Sequence, residues 1–412
     1  MRLPALEQVP VLRVIHPFFT DPDCAMAAGA VITVGLYVLH VVTTIADPSI
    51  LALGRDFSSF YAAGRLAWLG HPLDAYDAAR HWAEQKAVLG PDQPRYAFFY
   101  PPVFLLICLP LGALGYYAAL ACWLGSGLLA YLAAMRAWFV GWRGTWAALG
   151  FSMVLLTAAY GQNAFLTTAL LATSLSLLDR RPLLAGVICG LMIFKPHLAL
   201  AVPVLLVAQG RWRVIVGGLL GGLAALALAT LVFGPSIWPA YFAAAAESRV
   251  VLETGKVDYA HFASLFALAR WSGASVPLAY GMQAFTAVAA LASLVVAARR
   301  CSDTRLLGGL VVLTTALCTP FMLEYDLLIL AIPIARLHEI GRTEGWLRGE
   351  RVVIAVAYLS GLAFLLLFGY VFPLDFFVVL ALFGATLRRA LWSPAGQQAT
   401  ADRSLAWSGA TA

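Results

Sequence analysis

The chain has 412 residues, of which 62% are hydrophobic and 12% charged, with a mean hydropathy of +0.84. A soluble domain carries about 25% charged residues, so this composition excludes a water-soluble globular protein and leaves no room for a large soluble domain. The formal charge of +6 rests on 27 basic residues, of which only Lys86, Lys195 and Lys256 are lysines; the Arg residues fall in short loops between apolar runs, where they read as topology signals and not as nucleic-acid contacts.

In chain order, the first apolar run, Ala25–Ala46, is longer than the core of a signal peptide, about 7–15 residues, and is read as an uncleaved span. A polar stretch follows, and then "FFYPPVFLLICLPLGALG", which is too short and too rich in Pro for the roughly 20 residues of a spanning helix and is read as interfacial or re-entrant. Tyr116–Phe139 is long enough to cross and leads to Arg136 and Arg143. Placing these in the cytoplasm puts residues 47–115 outside as a first outer loop. Thr145–Tyr160 then runs outward and Ala164–Leu178 returns to Arg180 and Arg181. Leu183–Phe194 and Leu198–Ala208 are two short crossings that end at Arg211 and Arg213, or one helix kinked at Pro196. A single crossing would place Arg299, Arg300, Arg305, Arg336 and the later Arg residues outside, so two short helices are favoured. Val214–Phe233, Pro277–Ala298, Leu306–Pro320, Leu323–Ile334, Val352–Tyr370 and Leu374–Ala390 complete about twelve crossings, with both ends cytoplasmic. The expected architecture is thus an all-α polytopic membrane protein, one transmembrane domain over residues 1–392. It has outer loops at 47–115 and 235–275, helices lying in the interface within them, and a disordered tail at 393–412.

With that topology the unusual polar groups fall on one face: Asp56, Gln162, Asn163, Lys195, His197, His261, Glu324 and Asp326. Ionisable residues within or at the ends of spans are costly, and are functional candidates by default. Each also has a plainer reading. Asp56 heads the amphipathic "FSSFYAAGRLAWLG" and could simply cap it; Gln162 and Asn163 could cap the helices around Gly161. Lys195 could snorkel, or hold a phosphate with His197 beside it. Glu324, Tyr325 and Asp326 open an inward-running helix, where carboxylates suit the helix dipole. His261 is a single His in an outer loop, and Tyr100 precedes a rigid Pro-Pro helix start. Arg55, Tyr61 and Tyr100 complete the candidate substrate contacts.

Taken together, Asp56 after the first span, "FYAAGRLAWLGHPLDAYD", "FFYPPVFLLICLPLG", "YGQNAFL", "IFKPHLAL" and "TPFMLEYDLLIL" resemble glycosyltransferase family 87, over Leu53 to Leu330. The resemblance implies a GT-C fold and a membrane enzyme that uses a polyprenyl-phosphate sugar, like the family's phosphatidylinositol mannoside mannosyltransferases. It implies Asp56 as the catalytic carboxylate and the Lys195–His197 block near the donor phosphate. The mannosyltransferase members carry a His-containing block where this chain has Glu324-Tyr325-Asp326, a departure from their pattern. The chemistry agrees with the residues. A sugar on a lipid phosphate brings its own leaving group, so one carboxylate as general base and cations for the phosphate suffice. One base and no enzyme nucleophile imply inversion, by analogy with glycoside hydrolysis.

The expected function is therefore inverting transfer of a hexose, mannose first, to a hydroxyl of a lipid or glycan acceptor, at the outer face of a bacterial cytoplasmic membrane. The partners are the polyprenyl-phosphate donor, the acceptor and membrane lipids. A transporter or flippase for a lipid-linked glycan also has about a dozen spans, but it predicts mid-membrane polar residues on both sides and an internal repeat, and neither is present. A related GT-C enzyme moving another sugar or head group stays open, given the outer Arg55, Arg65, Arg80, Arg95, Arg249 and Arg270. No motif requires a cofactor. Asp56, Glu324, Asp326, His197 and His261 could assemble a divalent-metal site only if the fold brought them together, and the six scattered Cys suggest neither disulfides nor a thiolate site.

Overall fold

The computed structural model describes residues 21–46, 54–139, 141–363 and 373–392. The expected tail at 393–412, the start of the first outer loop and the end of the Val352–Tyr370 span lie outside the described residues. Among the described residues there is no strand, and one antiparallel bridge pairs Phe262 with Leu323. The first half of the chain forms α1 (Pro22–Ala46), α2 (Phe57–Trp68), α3 (Ala78–Leu89), α4 (Pro102–Cys108), α5 (Tyr116–Met135), α6 (Gly141–Leu149), α7 (Ser152–Tyr160), α8 (Ala164–Leu177), α9 (Pro182–Gly190) and α10 (Val202–Ala208). The second half forms α11 (Trp212–Phe233), α12 (Ile237–Thr254), α13 (Leu265–Trp271), α14 (Val276–Arg300), α15 (Thr304–Cys318), α16 (Ala331–Glu344), α17 (Glu350–Ala363) and α18 (Asp375–Trp392).

Among the described residues, four helices are long and apolar enough to cross a membrane: Pro22–Thr43 within α1, and α5, α11 and α14. They are mostly unburied, and Val31, Leu129, Leu231 and Phe285 stand at least 70% exposed on them, an apolar surface suited to lipid and not to water. Shorter apolar segments cover Pro102–Ala113, Ala164–Leu177, Pro182–Phe194, Pro196–Ala208 and Thr304–Cys318. The last of these, α15, is the central post: every residue from Leu306 to Cys318 is buried, which is how a helix apolar on all sides is accommodated.

The structure settles the reading of 183–208. Gly186 lies so close to α11 that a Cβ on it would stand 2.0 Å from the Val214 carbonyl, while Gly190 would meet Gly218, Gly217 would meet the Leu183 carbonyl and Gly221 that of Val187. These pairs rise together along both helices, so α9 and α11 are parallel, packed backbone to backbone through small residues four apart, as membrane helices commonly are. Two parallel neighbours require the chain to return between them. It does so at Lys195, which joins two 3-10 turns (Leu191–Phe194 and Pro196–Ala199), and α10 runs back. Arg181 and Arg211, the N-caps of α9 and α11, therefore lie at the end of these helices away from Lys195.

Two expected elements differ. Thr145–Tyr160 is broken between α6 and α7, where Phe151 takes an extended backbone (φ −61°, ψ 123°), and the adjacent Gly150 sits against the Ala30 backbone of α1, where a Cβ would stand 2.4 Å from its Cα. The helix expected from Leu323 begins as a 3-10 helix, Glu324–Leu330, and becomes α-helical only at Ala331.

Candidate active site

The site is built where residues 54–115 and 235–275 meet three helix ends. Asp56 precedes α2, but its side chain makes no capping hydrogen bond; the carboxylate is used elsewhere. The Tyr160–Asn163 turn holds it. Gly161 adopts φ +71°, which a residue with a Cβ rarely takes, and a Cβ there would also stand 2.7 Å from that of Phe57. This close approach lets the amides of Gly54 and Asp56 donate to the carbonyls of Ala159 and Tyr160 at 3.2 and 3.0 Å. It also lets the Gln162 side-chain amide donate to Asp56 Oδ2 at 2.5 Å. Gln162 Oε1 in turn lies 3.5 Å from the Tyr100 hydroxyl.

Burial pushes the Asp56 carboxyl up to about 6. The Gln162 hydrogen bond opposes this, nearby Glu324 adds to it, and Lys195 and His261 oppose it.

Lys195 is not a free cation. It is 4% exposed, with its ammonium donating to Asp326 Oδ1 at 2.6 Å and Asn163 Oδ1 at 3.1 Å, and the rings of Tyr100 and Tyr325 lie 5.8 and 5.5 Å from it. Glu324 and Asp326 are delivered by the chain leaving the buried end of α15. The Ala263 amide donates to the Met322 carbonyl at 2.7 Å beside the Phe262–Leu323 bridge, and so sets the His261 Nδ1 2.9 Å from Glu324 Oε1. Burial alone would lower the His261 pKa, but the hydrogen bond and charge of Glu324 outweigh it and the net shift is upward. Asp326 Oδ2, Glu324 Oε2 and Asn163 Nδ2 are buried without a hydrogen-bond partner among the described residues.

A cavity of about 550 Å³ opens over this floor, lined by Asp56, Tyr100, Gln162, Lys195, His197, Tyr325 and Asp326, and at its rim by Arg95, Tyr96, Tyr241, Glu247 and Lys256. That volume suits a small organic ligand. The fold thus gathers most of the expected residues. His261 and Glu324 stand behind the lining, and Asn163 beneath it. Two further expected contacts also lie outside the cavity wall. Tyr61 is buried on the opposite side of α2, donating to the Leu114 carbonyl at 2.7 Å within an aromatic group with Phe57 and Tyr116. Arg55 does not line the cavity, and its carbonyl accepts from the Ser58 hydroxyl at 2.6 Å. Among the described residues no three His, Cys, Asp or Glu side chains are placed to hold a metal ion together.

Three supporting residues lie outside the set expected from the sequence. His81 and Gln85, buried on one face of α3, are one such pair: His81 Nε2 meets the Ser59 carbonyl at 2.9 Å, and Gln85 exchanges hydrogen bonds with the Tyr96 backbone at 2.6 and 3.1 Å. They fix residues 95–100 across α2. Their i, i+4 spacing is the signal that could have found them. Asp375, at the start of α18, is buried within electrostatic range of Glu324 and His261.

The model of glycosyltransferase family 87 matches residues 98–320, more than half of the chain. The match includes Tyr100, Gln162, Asn163, Lys195, His197 and His261, and ends short of Asp56 on one side and Glu324 on the other. Neither a curated protein nor a solved structure gives a significant match. On the family match, the chain is a membrane glycosyltransferase and belongs to glycosyltransferase family 87.

Proposed function

We propose that the protein transfers a hexose, specifically mannose, from a polyprenyl phosphate to a hydroxyl group of a lipid or glycan acceptor, with inversion at the sugar carbon. The site would face the exterior of a bacterial cytoplasmic membrane crossed about twelve times. The observation that carries this reading is the Asp56 carboxylate. It borders a cavity at the ends of membrane helices, one oxygen is tethered by Gln162, and its carboxyl is raised toward neutral pH. A base held in this way suits proton removal from a hydroxyl near pH 7.

In the proposed step the acceptor hydroxyl gives its proton to Asp56 and its oxygen attacks the sugar C1. The bond from C1 to the phosphate oxygen breaks, and polyprenyl phosphate leaves with the electron pair. The aromatic rings of Phe60, Tyr100, Tyr241 and Tyr325 along the cavity suit the apolar faces of a sugar ring.

The test uses the full chain in lipid nanodiscs, supplied with polyprenyl-phosphate mannose, glucose or arabinose and a membrane lipid extract. A mannosylated product is expected, with release of one polyprenyl phosphate per sugar. Consumption of glucose or arabinose donor instead would revise the sugar. If none of the donors is consumed with any acceptor fraction, the reading fails.

A further inference from the structure

The cations that border the cavity are not equivalent. Lys195 lies in the floor, 4% exposed, with its charge already met by Asp326, and Asp56 and Glu324 are close by. A phosphate placed there would have to expel a buried carboxylate and sit among two others, an arrangement that desolvation and like charge both oppose. The floor therefore suits hydroxyl groups more than an anion.

The rim is different. Arg95 projects from the segment that His81 and Gln85 pin across α2, and meets Glu247 of α12 with both terminal guanidinium nitrogens, at 3.1 and 2.8 Å. This pair joins the first outer loop to the second directly at the cavity edge, and both side chains remain about one-third exposed (34% and 33%). Lys256 also lines the rim, just past the end of α12; its amide donates to the Val251 carbonyl at 3.2 Å, while its ammonium has no hydrogen bond or ion pair among the described residues and lies within electrostatic range of Glu247. The planar fork of Arg that fits a carboxylate fits a phosphate equally well, and a pair open to solvent is weakly held.

We propose that Arg95 and Lys256, and not Lys195, receive the phosphate of the lipid-linked donor, and that the Arg95–Glu247 pair is a latch between the outer loops which the phosphate replaces. Glu247 is then a competitor of the substrate for one guanidinium group. The inference rests on the donor class proposed above and adds where its charge is bound.

The test measures binding, with no turnover required. The full chain in nanodiscs of neutral lipid is titrated with sugar-free polyprenyl phosphate and with the corresponding polyprenol. The wild type is expected to bind the phosphate and to discriminate against the alcohol. Arg95→Gln and Lys256→Gln should each weaken phosphate binding about tenfold or more, the worth of a charge-assisted hydrogen bond, and reduce its salt dependence. Glu247→Gln should strengthen binding several-fold, because it removes the competitor while keeping a neutral side chain of the same size. Arg95→Lys, which keeps the charge and loses the fork, should fall between wild type and Arg95→Gln, and guards against a misfolded variant. If Glu247→Gln weakens binding or leaves it unchanged, the latch is wrong. If both rim substitutions bind as the wild type does, the phosphate lies elsewhere and this inference falls while the donor class stands. A wild type that does not distinguish the phosphate from the alcohol removes the donor class, and the inference with it.

Discussion

Replacing Asp56 with Asn should lower the turnover number about 10²–10⁴-fold, the usual contribution of a positioned general base, with the donor KM little changed. Asn keeps the shape of the side chain and can still bond to Gln162, so the backbone links of Gly54 and Asp56 to Ala159 and Tyr160 should survive. The loss would then report proton transfer and not folding. The same carboxylate sets the pH profile. Its pKa is raised to about 6, and the active form is the deprotonated one, so kcat/KM should be flat above neutrality and fall as pH drops through about 6. Gln162→Leu removes the hydrogen bond that holds this pKa down, so its acidic limb should move to higher pH. A limb that stays in place would separate Gln162 from the base, and turnover that survives Asp56→Asn would remove Asp56 from the chemistry.

The second large effect concerns the floor. Lys195 and Asp326 are paired at 2.6 Å with both side chains almost fully buried. Removing one partner strands the other charge where water cannot reach it, at a typical cost of about 3–5 kcal/mol. Lys195→Met should therefore lower the thermal midpoint of the purified protein well beyond Lys256→Met, which alters an exposed Lys at the rim. Combining Lys195→Met with Asp326→Leu should recover most of the midpoint, since two apolar groups can replace a buried pair, and transfer should remain low. A midpoint unmoved by Lys195→Met would mean that the two charges do not meet in the protein.

The candidate residues were legible where a single physical rule exposes them. A charge within an apolar run is costly, so Lys195, Glu324 and Asp326 stand out, and Asp56 stands out as the acid that opens an amphipathic segment. Which residue meets which was not legible. Lys195 and Asp326 are 131 positions apart, and Asp56 and Gln162 are 106 apart, so their pairing depends on tertiary packing that no local pattern encodes. Lys195 was expected near a phosphate from its place in an apolar stretch with His197 beside it and from the family resemblance, and nothing in that local pattern announces its contact with Asp326.

Tyr61 was a candidate substrate contact, but the helical period turns it into the aromatic group with Phe57 and Tyr116. The 3-10 helix at Glu324–Leu330 was missed because over seven residues a period of 3.0 cannot be told from 3.6. The reversal at Lys195 followed from Arg placement alone. The glycines at 186 and 190, and at 217, 218, 221 and 222, carried independent support for it through the parallel contact of α9 with α11.

The most direct test of a single displacement driven by one base is the anomeric configuration of the transferred sugar, read by NMR on product made from a donor of defined configuration. Inversion at C1 is expected, because Asp56 takes a proton and forms no bond to the sugar. Retention would require a covalent glycosyl intermediate or two successive displacements, and would contradict the role assigned to Asp56.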